Sequence, residues 1–169
     1  MAEKSFIDSN VMKTPKIYLE TTLFNYYFDA DRDAHPDTVE LFAEIAAGKY
    51  EAFTSRAVMD ELENAPVEKY EKMLALVGEY SIQMLDSSGA ANMLADQYVA
   101  KGIIPVKYRT DGLHIAVAAM HNLDFVVSLN YKHIVKSKVK LLANAVNVLH
   151  GLNPIEIVTP MEIIEHEDA

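Results

Sequence analysis

The chain alternates short β-prone runs with longer segments of helical spacing, and this order restricts its fold more than any other feature. The β-prone runs are KIYLE, KYEAFTS, SIQML, LDFVVSLN and IEIV, at positions 16–20, 49–55, 81–85, 123–130 and 155–158. Between them, apolar residues recur every three or four positions, which is typical of amphipathic helices. Strands separated by helices pair in parallel through crossovers. The order therefore predicts an α/β fold, a three-layer α/β/α sandwich around a mainly parallel central sheet.

Capping residues set the expected helix starts. Thr21 or Thr22 can cap the first helix, Ser55 a later one, and Thr110 a nearly all-apolar helix that begins at Asp111. We expect helices over about 21–29, 36–47, 56–63, 64–77, 89–100, 111–120 and 136–150, and a last one from a capping box at 159–162.

Composition excludes several classes of protein. The 169 residues are half hydrophobic, which fits one domain over 16–169 behind a flexible arm over 1–15. The absence of cysteine excludes zinc ribbons, iron–sulfur clusters, thiol catalysis and disulfide scaffolds. No apolar run is long enough to span a bilayer, and no apolar signal core begins the chain, so we expect a cytoplasmic protein. Glycine motifs of dinucleotide and nucleoside triphosphate sites are also missing.

Polar residues collect where the predicted strands end. Glu20 ends the first strand, Glu61 lies in the helix after the second, Asp111 opens the buried helix, and Ser128 and Asn130 end the fourth strand. Ligands of open α/β sheets bind at the carboxyl ends of the strands. A carboxylate at the end of a buried strand is costly without a partner, and oxygen ligands are those that Mg²⁺ and Mn²⁺ prefer. These residues therefore form a candidate divalent-metal site.

Several of the candidate residues also have a purely structural interpretation. Asp111 can simply stabilise the dipole of its helix, and Glu61 can lie on a solvated helix face. His114 is better explained as a residue that orients a carboxylate or completes a buried hydrogen bond than as a metal ligand. The acids of Asp29–Glu40 have the spacing of a calcium loop, but Ala34 stands where that loop requires glycine.

Three segments, in this order, resemble the PIN-domain nucleases and, within them, the VapC-like toxins of type II toxin–antitoxin modules. They are KIYLETTLFNYYF, TSRAVMDELENAP and KYRTDGLHIAVAAMHNLDFVVSLNYKHIV, within Lys16–Thr159. The resemblance implies a Mg²⁺- or Mn²⁺-dependent endoribonuclease that hydrolyses RNA phosphodiester bonds. It also implies a homodimer and a cognate antitoxin as partners.

The resemblance gives each candidate residue a role. Metal ligands are Glu20, Glu61 and Asp111, which together with Asn130 form the catalytic set. Residues expected to contact the substrate are Thr21, Thr22, Ser128, Lys132 and His133.

Two positions depart from the family pattern. Glu20 and Asn130 stand where most members have aspartate. The longer Glu20 side chain displaces its carboxylate by about 1.5 Å, and Asn130 lacks a negative charge that would bind a second metal. These departures leave open an alternative function, a catalytically weakened PIN-fold regulator that binds RNA or a protein.

The charge of the chain is unevenly distributed. Fifteen Lys and Arg oppose 25 Asp and Glu, a net charge of −10. Between positions 97 and 155, however, seven bases oppose two acids, and four of these bases are lysines within Lys132–Lys140. Because phosphate contacts depend on Lys and Arg, we expect RNA to be bound by this local basic strip.

Overall fold

The computed structural model of the chain describes residues 13–166, so the expected arm over 1–15 lies almost wholly outside the described residues. Within them, five strands form one parallel sheet in the order β3-β2-β1-β4-β5. The strands are β1 (Lys16–Leu19), β2 (Glu51–Ser55), β3 (Gln83–Leu85), β4 (Phe125–Val127) and β5 (Glu156–Val158). The predicted α/β fold with a parallel sheet is confirmed.

Eight α-helices connect these strands in the described part of the chain. They are α1 (Thr21–Tyr27), α2 (His35–Ala46), α3 (Arg56–Leu62), α4 (Val67–Glu79), α5 (Gly89–Ala100), α6 (Arg109–Met120), α7 (Ser137–Leu149) and α8 (Pro160–Ile163). A short 3-10 helix, Val106–Tyr108, precedes α6. None of these helices is long and apolar enough to cross a bilayer.

The strand order divides the helices into two groups. The chain moves from β1 through β2 to β3 in one direction, then returns past β1 to β4 and continues to β5. Right-handed crossovers in opposite directions place their helices on opposite faces of the sheet. The contacts agree, since α1 contacts α2, α3 and α4, whereas α5 contacts α6 and α7. The two groups also meet through a contact between α3 and α6.

Helix α6 lies in the centre of the fold. Its residues from Asp111 to Ala119 are all buried. Gly112 permits close packing against α5, because a Cβ atom there would lie 3.3 Å from Cδ2 of Tyr98. Gly112 therefore allows α6 to pack closely against α5, and Asp111, the preceding residue, is buried with it.

Three expected helix caps differ in the structure, although the helices after Glu20 and Ser55 begin at residues 21 and 56 as predicted. Helix α6 begins at Arg109 with Tyr108 as N-cap, so Asp111 lies within the first turn and Thr110 is not its cap. Thr21 and Thr22 lie inside α1, whose N-cap is Glu20. Ser55 is the N-cap of α3, but its side chain makes no capping hydrogen bond. In the regions of α1 and α3, the hydroxyls bond across the sheet edge instead of to their own helix ends, since Thr21 and Thr22 donate to Glu61 and Glu20, and Ser55 pairs with Tyr18.

The acidic segment over Asp29–Glu40 is not one loop. Helix α2 begins at His35, and Asp37 therefore lies in its first turn. Glu40 lies further along the same helix, so the five acids cannot surround one ion as they would in a calcium loop.

Candidate active site

The candidate site lies where β1 and β4 are adjacent, the point at which the strand order reverses. Leu19 pairs with Val127, and the backbone N–H of Glu20 donates to the carbonyl oxygen of Val127 at 3.1 Å. Reversal points of this kind open a crevice at the carboxyl ends of the strands. Glu20 and Ser128, the residues that follow the paired positions, both lie at this crevice.

Glu20 is a buried carboxylate with two hydroxyl partners. It is 2% exposed, and its Oε1 atom accepts from Oγ1 of Thr22 and from Oγ of Ser128, each at 2.6 Å. Burial raises the pKa of Glu20, against the opposing effects of His114 and the two hydroxyls. Because both hydroxyls bond the same oxygen, Oε2 is left outside these two hydrogen bonds.

Glu61 ends a chain of hydrogen bonds that starts in the core. The hydroxyl of Tyr18 bonds to Oγ of Ser55 and to Nδ1 of His114, each at 2.7 Å. The other ring nitrogen of His114, Nε2, pairs with Oε1 of Glu61, which also accepts from Oγ1 of Thr21 at 2.8 Å. This chain holds the Glu61 carboxylate against the fully buried His114 ring.

The ion pair between these two residues shifts both pKa values. Burial alone would lower the pKa of His114, but the hydrogen bond to Glu61 and the charges of Glu61, Glu20 and Asp111 raise it overall. Burial alone would raise the pKa of Glu61, but His114 lowers it overall. His114 is therefore stabilised as a cation among the three carboxylates.

Asp111 is the third carboxylate and is 8% exposed. Burial raises its pKa, whereas the charge of His114 and the side-chain amide of Asn130 lower it. Oδ1 of Asn130 accepts from the backbone N–H of His133 at 3.1 Å, so this oxygen already stabilises the turn after β4. The oxygen that the sequence suggested as a metal ligand is thus in use within the protein.

The structure brings together most of the residues that were predicted from the sequence. Glu61 contacts His114 directly, and the charges of Glu20 and Asp111 also raise the pKa of the His114 ring. The predicted substrate contacts Thr21, Thr22 and Ser128 donate their hydroxyls to these carboxylates. Lys132 and His133 line a neighbouring groove, and His133 is close enough to Asp111 for its charge to lower the pKa of that carboxyl.

The carboxylates of Glu20, Glu61 and Asp111 are the kind of ligand that a hard divalent cation prefers. Three buried or half-buried carboxylates, two with raised pKa, face a single internal cation, and carboxylate oxygens are preferred ligands of Mg²⁺ and Mn²⁺. They do not form a finished cluster, because no three His, Asp or Glu side chains among residues 13–166 are arranged as ligands of one ion. One oxygen of Glu61, Oε1, is already engaged by His114 and Thr21.

Two residues of the network were not found by sequence reasoning. Tyr18 and Ser55 were assigned to a buried strand and to a helix cap, yet each places a buried polar group beside His114. A signal was present, because Tyr18 is the one polar-tipped side chain within the apolar run of β1, and a buried tyrosine hydroxyl requires a partner.

Comparison with known proteins identifies the fold. No family model and no curated protein matches the chain. Among solved structures, VapBC2 from Rickettsia felis, bound to a promoter DNA fragment, is similar with a TM-score of 0.52 and 15% identity over 85% of this chain and 98% of that one. The chain has a VapC-like PIN fold. VapC20 of Mycobacterium tuberculosis, a toxin that cleaves the Sarcin-Ricin loop, has a TM-score of 0.50 and 13% identity over 65% of this chain and 86% of its own.

Proposed function

We propose that this VapC-like protein is a Mg²⁺- or Mn²⁺-dependent endoribonuclease that hydrolyses RNA phosphodiester bonds. One observation carries the proposal: Glu61 pairs with the buried His114 ring at the carboxyl edge of the sheet, and the buried carboxylates Glu20 and Asp111, from two other elements, also raise the pKa of that ring. Similarity in fold to VapC20, a Sarcin-Ricin loop cleaving toxin, supports a nuclease of this kind.

Glu20, Glu61 and Asp111 would hold the metal. A bound divalent ion would supply a Lewis acid for a phosphoryl oxygen and a water of lowered pKa. The protein contributes the positions of its own groups. Ser128 and Thr22 fix Oε1 of Glu20, and His114 and Thr21 fix Oε1 of Glu61.

Asn130 has a positioning role in this proposal. Its side-chain amide lowers the pKa of Asp111, and its Oδ1 atom fixes the following turn by accepting from the backbone N–H of His133. The turn carries Lys132 and His133, so a single residue connects the carboxylates with the candidate substrate contacts.

The proposed biological role is that of a toxin in a type II toxin–antitoxin module, acting in the cytoplasm as a homodimer with a cognate antitoxin. The similarity to the VapBC2 complex supports an antitoxin partner. The buried network does not depend on a partner chain, so the role can be tested separately from the chemistry.

A catalytically weakened regulator of PIN fold is the second candidate. Two observations favour it: Glu61 is engaged by His114 and Thr21, and the oxygen of Asn130 is engaged by the backbone of His133. Such a protein would bind RNA or a protein through the same surface without hydrolysis.

Cleavage of end-labelled single-stranded RNA in Mn²⁺, with and without chelator, distinguishes the two functions. We expect the wild-type protein to cleave the RNA in Mn²⁺ and the chelator to abolish this cleavage. Asp111→Asn and Glu61→Gln should also abolish it, whereas Asp60→Asn should cleave like the wild type. Asp60 is the matched control, because it is an exposed acid adjacent to Glu61 on α3. Cleavage that persists in chelator or in Asp111→Asn contradicts the nuclease, and failure to bind Mn²⁺ in calorimetry favours the regulator.

A further inference from the structure

A basic groove begins beside the carboxylates. We call it the lysine groove and define it by its lining, which is Lys132, His133, Lys136, Lys138 and Val139 on one side and Gly102, Ile103 and Pro105 on the other. Its volume is about 240 Å³. The three lysines are exposed, so their ammonium groups are available to a ligand. In a chain with a net charge of −10, such a groove is a local site for an anion.

An aromatic pair lies at the same place. The rings of Tyr108 and His133 stack with centroids 3.9 Å apart and planes inclined by 23°. Tyr108 is 40% exposed although it is a large aromatic residue, and Nζ of Lys107 lies 5.7 Å from its ring centroid. Because this ammonium lies over the ring, the stack is a partly exposed aromatic platform with a flexible positive charge above it, which a stacking base would displace.

The platform is connected to the candidate active site at both ends. Tyr108 is the N-cap of α6 and precedes Asp111 by three residues. The backbone N–H of His133 donates to Asn130, and the charge of His133 influences the pKa of Asp111. A polymer that passes from the carboxylates into the lysine groove would thus run beside Tyr108.

We propose that Tyr108 and the lysine groove form a subsite for one unpaired nucleotide and its neighbouring phosphates in single-stranded RNA. The base stacks on the exposed part of the Tyr108 ring, which His133 supports from its other side, and the phosphates lie against Lys132, Lys136 and Lys138. Positive grooves with aromatic platforms bind single strands in this manner, since every base has a face that can stack. The inference rests on the proposed RNA substrate and specifies its form.

A tryptophan probe tests the platform directly. The chain contains no tryptophan, so Tyr108→Trp introduces a single fluorophore at the platform. Titration in chelator with single-stranded RNA of about ten nucleotides should quench its fluorescence, because a stacked base contacts the indole. Leu74→Trp is the matched control, since Leu74 on α4 is also 40% exposed and lies outside the groove, and its fluorescence should stay unchanged.

Substitutions that preserve or remove stacking test its contribution to affinity. Tyr108→Leu should weaken binding of the labelled single strand by about 5- to 150-fold, corresponding to ~1–3 kcal/mol per stacked base, whereas Tyr108→Phe should bind like the wild type. Replacement of the three groove lysines by glutamine should lower the magnitude of the salt-dependence slope by about 2, because each phosphate contact contributes roughly 0.7 for single strands. Thermal unfolding of each variant checks that the fold is retained.

Several results would overturn the subsite. These are the absence of quenching at Tyr108→Trp, equal affinity for the single strand and for a duplex of the same sequence, and equal affinity of Tyr108→Leu and Tyr108→Phe. Tight binding of heparin without quenching would also overturn it, since it would show a groove that recognises charge alone. All binding is measured in chelator and is therefore independent of cleavage. If the protein binds RNA on the platform but never cleaves it, the nuclease proposal is contradicted and the nucleotide subsite is still supported.

Discussion

Ser128 donates its hydroxyl hydrogen to Oε1 of Glu20 at 2.6 Å, although the two residues lie 108 positions apart in the chain. The bond joins the residue after β4 to the residue after β1, the two strands between which the sheet order reverses. Ser128 is itself fully buried. The bond therefore couples the position of the candidate active-site carboxylate to correct pairing of the two central strands.

Ser128→Ala should destabilise the protein by about 1–3 kcal/mol, because it leaves a buried carboxylate with one donor fewer. The hydrogen bond from Ser128 lowers the pKa of Glu20, so its loss should raise that pKa further. Urea unfolding near neutral pH measures the change in free energy. Ser137→Ala, at an exposed position at the start of α7, is the control and should change the free energy little. An unfolding midpoint for Ser128→Ala equal to that of the control would contradict the role of this bond.

Glu20→Asp should lower both stability and Mn²⁺-dependent cleavage, although aspartate is the residue that most PIN-domain proteins carry here. Removal of one methylene withdraws the carboxylate by about 1.5 Å. The hydroxyls of Ser128 and Thr22, each at 2.6 Å from Oε1, would then lose their partner. Unfolding and cleavage rates measured on one preparation test the prediction. A variant that cleaves faster than the wild type at equal stability would show that these hydroxyls do not set the position of the carboxylate.

The fold was predictable because its determinants are local. Strand and helix periods, turn residues and caps are read within one segment, and each of the five strands lies within its predicted run. The location of Glu20 at the sheet edge also followed, because the carboxyl ends of parallel strands share an edge, whereas Glu61 and Asp111 are positioned by helices α3 and α6.

The hydrogen-bond network was only partly predictable, because it is formed between segments. Thr21, Thr22 and Ser55 all have the chemistry of helix caps, and no property of their own segments shows that their hydroxyls bond Glu61, Glu20 and Tyr18. The role of His114 was anticipated as a residue that orients a carboxylate, and its pairing with Glu61 confirms that interpretation. Its second partner, Tyr18, depends on strand register and could be found only in three dimensions.

The chelator-treated protein should become less stable as pH rises above 6.5. The folded pKa of His114 lies above its ordinary value of 6.5, so the folded state binds more protons than the unfolded state between the two. The stabilisation is complete below pH 6.5 and is lost as pH rises through the folded pKa. The other carboxylates around the ring also contribute to the pH dependence of stability. The raised pKa values of Glu20 and Asp111 likewise lower the stability as pH rises, whereas the lowered pKa of Glu61 affects the stability only at acidic pH.

Thermal unfolding measured across this pH range, in wild type and in His114→Gln, tests the prediction. The variant should be less stable throughout and should have a shallower pH dependence above 6.5. His150→Gln is the control, because His150 is an exposed residue at the end of α7, and it should retain the wild-type slope. A wild-type slope in His114→Gln would assign the pH dependence to other groups.

Asn130→Asp should make the metal-free protein less stable and its stabilisation by Mn²⁺ larger. The side-chain amide of Asn130 lowers the pKa of Asp111, whereas an aspartate there removes this effect and adds a negative charge. An Oδ atom still accepts from the backbone N–H of His133, so the turn after β4 is retained. In chelator we expect a loss of about 1–3 kcal/mol. With excess Mn²⁺ the gain should exceed that of the wild type, because a cation that binds only the folded state stabilises it in proportion to the logarithm of its affinity.

Asn153→Asp is the control, since it adds the same charge at an exposed position before β5, and its response to Mn²⁺ should equal that of the wild type. Equal Mn²⁺ stabilisation of all three proteins would show that position 130 does not border a cation site.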